Sequence, residues 1–236
     1  MPVSTRSTES PEVPTAQSAR FHVTDLVVSR KQAGPALSFD TAPGLTLLHP
    51  GRENFATSLA LALAGRMRTA SGTIALETAH ATYDTPRQRF PHVALAGAAE
   101  VDRLERLVPT EEIVREQIAW QQPAFRRAPR RALEDPRYTR WAEILGLDVQ
   151  PSTPPGELPV LDRFRLRIVL GMIARPDAAI LVVDDLDQVK SDVARGEILT
   201  GLHRLSDTLP VVASTVNHDG DGRATAVVTL HSGTEA

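Results

Sequence analysis

Three short, uncharged and largely apolar runs constrain the fold of this chain more than anything else in it. Leu45 to Leu48, Ala178 to Val183 and Pro210 to Val216 each lie next to segments with helical patterning. A strand that alternates apolar with polar residues can leave one face in water, whereas a continuous apolar run needs cover on both. Such strands, interleaved with helices, predict an α/β chain with a mainly parallel sheet flanked by helices. The N-terminal part reads differently. Phe21 to Val28 and Ala36 to Phe39 carry β-branched residues, are separated by the turn-like KQAGP, and suit an antiparallel β-layer.

Residues 1–20 are polar and read as a disordered tail, which leaves 21–236 as a single domain. Further strands are predicted at Thr73 to Leu76, Val93 to Leu95 and Ala224 to Leu230. Between Val101 and Gly146 the sequence is polar and helical, carries Trp120 and Trp141, and is broken by Pro123, Pro129 and Pro136. This block predicts an α-helical subdomain at about residues 98–150. A Pro- and Ser-rich linker, 151–156, precedes helices at Asp162 to Ala174 and about Asp192 to Leu205.

Composition closes off several classes of function. There is no cysteine, which excludes a disulfide framework and a thiolate metal site. A net charge of −3 gives no electrostatic case for nucleic acid. No apolar run reaches the roughly 18 residues needed to span a bilayer. Of 26 basic residues only Lys31 and Lys190 are lysine, and neither is near the segment that carries the chemistry.

That segment is 49–66, HPGRENFATSLALALAGR, in which an apolar strand enters a turn and then a helix. The layout is that of a phosphate-binding loop, GxxxxGK[ST], whose backbone N–H groups and lysine hold phosphate. Counting from Gly51, Ala56 stands where the second glycine belongs and Thr57 where the lysine belongs. Ser58 keeps the hydroxyl that would bind magnesium. Arg52 is the cation inside the loop, and the bulky ring of Phe55 is expected to crowd the phosphate path.

The order of landmarks, with LALALAGRMRTASGTIAL, MIARPDAAILVVDDLD and VVASTVNHD in sequence, resembles the nucleotide-binding subunit of ATP-binding cassette (ABC) transporters over about residues 21–231. The resemblance implies a P-loop NTPase core and a site for ATP and Mg2+. It places Asp184 at the magnesium-holding aspartate of the Walker B strand, Asp185 at the catalytic carboxylate, and His218 at the switch histidine. It also implies a membrane-spanning transport subunit or a second cassette subunit as partner, in a homo- or heterodimer. The location implied is cytoplasmic, at the inner face of the membrane.

Several positions depart from the family's pattern. Asp185 is one methylene shorter than the family's glutamate, a misplacement of about 1 Å that can cost roughly 100-fold in rate. The signature segment falls on Leu158-Pro159-Val160-Leu161-Asp162, where Pro159 lacks an N–H and Val160 and Leu161 add bulk. No glutamine follows the strand at Val93, and 26–36 offers no aromatic for adenine stacking. Gln117, Gln121 and Gln122 read as surface helix residues. Together these features predict a degenerate cassette with weak or no ATP hydrolysis. The alternatives are an active ATPase in which Arg52 substitutes for lysine, and a scaffold that docks a partner without nucleotide.

Overall fold

The computed structural model describes residues 18–30, 36–50, 55–123 and 127–230. An antiparallel sheet in the order β2-β1-β4-β5 is built from β1 (Arg20–Val27), β2 (Leu37–Asp40), β4 (Ser71–Glu77) and β5 (Thr82–Tyr83). A five-stranded parallel sheet in the order β6-β7-β8-β3-β9 contains β3 (Leu45–His49), β6 (Val93–Ala96), β7 (Ile180–Val183), β8 (Val211–Ser214) and β9 (Ala226–Thr229). The helices are α1 (Ala56–Leu63), α2 (Pro86–Arg89), α3 (Thr110–Trp120), α4 (Pro136–Leu145), α5 (Val160–Ala174) and α6 (Asp192–Ser206).

Every residue of β6, β7 and β8 is buried, and the side-chain period of two divides them between two separate cores. Leu45, Leu47, Ala94, Ala96, Leu181, Val183, Val211 and Ala213 face a cluster completed by α3 to α6. Leu48, Val93, Leu95, Ile180, Val182 and Val212 face a second cluster, shared with α1 and the antiparallel sheet. This two-sided demand is why the runs are continuously apolar. In the helical block, Val114, Ile118, Trp141 and Leu145 join the same cluster as Leu166, Ile198 and Leu202 of α5 and α6.

The structure departs from the sequence reading in several places. The first strand begins at Arg20, inside the segment read as a tail. Ala19 and Phe21 are buried there, and the Phe21 N–H donates to Thr41 Oγ1 at 2.8 Å. Residues 1–17 lie outside the described residues. Among the described residues, the stretch from Val101 to Gly146 is helical at α3, α4 and a 3-10 turn at Ala132–Glu134; Pro136 opens α4 at its first position and left-handed Gly146 closes it. Helix α5 starts at Val160, two residues earlier than read, with Pro159 as its N-cap.

The pair α2 and β5 went unread, and with it a structural arginine. Arg89 is 2% exposed, and its guanidinium donates to the carbonyls of Ile74 (2.6 Å), Asp84 (2.8 Å) and Ala62 (3.1 Å). One cation thus joins α1, β4 and the turn before α2, and burial lowers its pKa to about 10. Replacing it by alanine removes three charge-assisted hydrogen bonds and opens a cavity. Arg89→Ala is expected to destabilise the fold by about 3 kcal/mol in denaturant unfolding, with little change in the slope of the transition.

Candidate functional site

All strands of the central sheet run parallel, so their carboxyl ends gather at one edge, the ordinary place for a ligand in an open α/β sheet. His49 ends β3, Asp184 and Asp185 follow β7, and Ser214 ends β8. Register pairs Leu48 with Ser214 and Val183 with Ala213, which brings these termini side by side.

Asp184 is 1% exposed. Its N–H donates to the Ala96 carbonyl at 2.8 Å, which fixes the backbone as it leaves β7. The Ser214 hydroxyl donates to Asp184 Oδ1 at 3.1 Å and accepts from the Asp185 N–H at 2.8 Å. The Thr57 side chain, in the first turn of α1, also favours the ionised Asp184 carboxylate. Burial pushes the pKa of this carboxyl above the usual range, and the two hydroxyls oppose that shift only in part.

Asp185 adopts a left-handed backbone (φ 49°), which aspartate tolerates better than most residues. Its pKa is raised by burial and then by the charge of Asp187. Asp187, which the sequence reading passed over, clasps the loop after β8. It accepts from Thr215 Oγ1 (2.7 Å), the Val216 N–H (2.7 Å) and Asn217 Nδ2 (2.6 Å). The loop so held carries His218, whose ring meets that of His49 edge-on at 5.8 Å between centroids. His49 Nε2 is buried without a hydrogen-bond partner, and burial followed by the nearness of His218 lowers its pKa.

A second network lies beside this edge. Gln188 Nε2 donates to the Gly97 carbonyl at 2.8 Å, and Arg167 donates both to Gln188 Oε1 (2.6 Å) and to Asp102. Asp102 also accepts from the Gly97 N–H at 2.6 Å. Gly97 (φ 86°) tolerates no side chain, since a Cβ there would lie 2.1 Å from the Asp184 carbonyl. A cleft of about 720 Å3 opens onto this network, with Arg103, Arg106 and Arg163 along its walls.

Of the site residues read from sequence, Thr57, Asp184, Asp185 and His218 lie in the described part of this edge, while Gly51 and Arg52 lie outside the described residues. Thr57, one position before Ser58, has a side chain that favours the ionised Asp184 carboxylate. Ala56 is the first residue of α1. Phe55 turns inward: it is 8% exposed and packs in the second cluster, so its ring does not crowd the strand ends as expected. At the signature position Leu158 is buried and Asp162 pairs with Arg165 at 3.1 Å, as befits the first turn of an ordinary helix. Asp187, Gln188 and Gly97 carried no motif. The only signal was their place just beyond predicted strands.

The fold that positions these groups is that of the ATP-binding cassette of ABC transporters. It matches a Pyrococcus furiosus protein described as the ATP-binding protein of an ABC transporter, with a TM-score of 0.66 at 13% identity, over 90% of this chain and 98% of that one. It also matches cbiO1 of Clostridium perfringens, part of the cbiONQ complex (TM-score 0.68, 12% identity, 89% and 84% coverage). The dimeric bacterial cassette MJ0796, whose structures include a post-hydrolysis state with ADP and Pi, matches with a TM-score of 0.66 at 12% identity over 89% and 94% of the two chains. By sequence, no family model and no curated protein matches. Among the described residues no helix is long and apolar enough to cross a membrane.

The raised pKa of Asp184 has a definite consequence for stability. A carboxyl whose folded pKa exceeds its unfolded one costs nothing below the unfolded value; the cost grows as pH rises from the unfolded to the folded value and is then constant. Asp184→Asn is therefore expected to raise the melting temperature at pH 7–8 by a few degrees, roughly 2–4 °C per kcal/mol recovered. The gain should shrink as the pH of the melt is lowered towards 4. A variant that is equally or less stable at neutral pH would contradict burial as the dominant influence.

Proposed function

We propose that this chain is the cassette-type subunit of a transport system, with a degenerate nucleotide site and weak or no ATP hydrolysis. The observation that carries this reading is the buried Asp184 carboxylate at the strand edge, held by Thr57 and Ser214. A hydroxyl at the start of a helix and a carboxylate at the end of the adjoining strand form a donor set that suits magnesium, the carboxylate through water. Thr57 and Asp184 would hold the ion, which supplies charge neutralisation for bound phosphates. The phosphate side fits less well, because no lysine stands in the loop and a charge-assisted contact of that kind is worth roughly 1.5–3 kcal/mol, more than tenfold in affinity.

Thr57 in the hydroxyl's place implies a register one residue earlier than a count from Gly51. Ala56 then stands in for the lysine and Ser58 follows the motif. Asp185 and His218 take the positions of water-orienting carboxylate and γ-phosphate sensor, with Asp187 and Ser214 holding their loops. The helical block near 98–150 serves as the α-helical subdomain, and the basic cleft beside Gly97 faces a partner. That partner is a membrane-spanning subunit or a second, competent cassette, which places the chain on the cytoplasmic side.

Titration with a fluorescent ATP analogue and magnesium tests the reading. Wild type should bind weakly, and Ala56→Lys should bind about tenfold tighter or better, whereas Thr57→Lys should not. Failure of both wild type and Ala56→Lys to bind would favour a scaffold that uses no nucleotide. Phosphate release by the wild type, abolished in Asp185→Asn, would instead establish an active ATPase.

A further inference from the structure

We propose that the arginine-lined hollow at the carboxyl end of α1 is a binding site for a phosphate-bearing anion, separate from the strand-edge site. The hollow is about 670 Å3, within the usual range for small-molecule sites, and it shares no lining residue with Asp184, Asp185 or His218. Arg66, Arg68, Arg87, Thr69 and Thr85 line it, with no Asp or Glu among the lining residues.

Local structure explains how the arginines come together. Gly65 (φ 68°) packs so tightly that a Cβ there would lie 2.3 Å from the Pro86 carbonyl, so the chain after α1 is seated against the start of α2. Met67 packs on the second apolar cluster, and the residues on either side of it, Arg66 and Arg68, are exposed. A fourth cation, Arg175, lies 4.4 Å from the Phe90 ring centroid, and Arg66 lies 5.1 Å from the same ring.

The wall of the hollow gathers three arginines with no Asp or Glu among them. Several arginines elsewhere are matched with carboxylates: Arg20 with Glu77, Arg137 with Asp135, Arg165 with Asp162 and Glu197, Arg167 with Asp102. Among the described residues Arg66, Arg68 and Arg87 enter no ion pair. Burial and then the charge of Arg175 lower the proton affinity of Arg66, and the charge of Asp102 opposes the shift. Planar guanidinium forks match the oxygens of phosphate in pairs, so a phosphate group is the anion that best meets this donor set. A soluble polyphosphate and a phospholipid headgroup share that chemistry.

The test compares two probes on the full chain at low salt. Inorganic pyrophosphate is titrated calorimetrically, and vesicles of phosphatidylcholine with and without phosphatidylglycerol are tested by flotation. At least one probe should bind, and a triple Arg66→Gln, Arg68→Gln, Arg87→Gln variant should bind it at least about tenfold more weakly. A control Arg103→Gln, Arg106→Gln variant should bind as the wild type does. Pyrophosphate binding identifies a soluble ligand, and binding to phosphatidylglycerol vesicles alone identifies a headgroup. Should the triple variant fail to fold, Arg87→Gln alone should still weaken binding measurably. The proposal is overturned if neither probe binds wild type, if the arginine variants bind unchanged, or if the control loses as much.

Discussion

The Asp184 carboxylate, buried at the end of β7 with two hydroxyls as partners, is the interaction around which the candidate site is arranged. A charge in such a place is costly unless something compensates it. Here the compensation is polar and neutral: Ser214 from β8 and Thr57 from α1. The same serine receives the Asp185 N–H, so one hydroxyl ties the Asp184 carboxylate to the Asp185 backbone. Asp187, two residues on, then captures the loop of the neighbouring strand. The geometry of the two loops and the position of His218 follow from this short run of acids.

The central sheet was legible because two-sided burial leaves an unmistakable composition. Ala178 to Val183 and Pro210 to Val216 could hardly be anything but covered strands, and β7 and β8 lie within them. Asp184, Asp185 and His218 were legible for a related reason, since each sits just past such a strand. The phase of α1 was not. Whether Thr57 or Ser58 meets Asp184 depends on where the first helical turn begins, and adjacent hydroxyls look alike in sequence. Nor was Arg89 readable, because an arginine within PRQRF looks like a solvated side chain until three carbonyls are found around it. Phe55 misled in the opposite direction, as its bulk suggested a ring in the phosphate path while the second apolar cluster takes it up.

The cassette fold here is preserved by apolar packing that makes no demand on nucleotide chemistry. Alternate faces of one parallel sheet feed two cores, and neither core includes Asp184, Asp185 or His218. Stability and ligand chemistry therefore rest on different residues, which is how a frame of this kind can keep its shape while contact positions change. Proteins with the same fold at 12–13% identity fit that separation.

The clasp of Asp187 on Thr215, Val216 and Asn217 makes the turns after β7 and β8 a single mechanical piece. Neither can swing without breaking three hydrogen bonds to one carboxylate. A partner that pressed on the exposed side of His218 would thus shift the Asp185 turn as well, with no ligand between them. That rigid linkage gives the strand edge a way to transmit force from one neighbour to another.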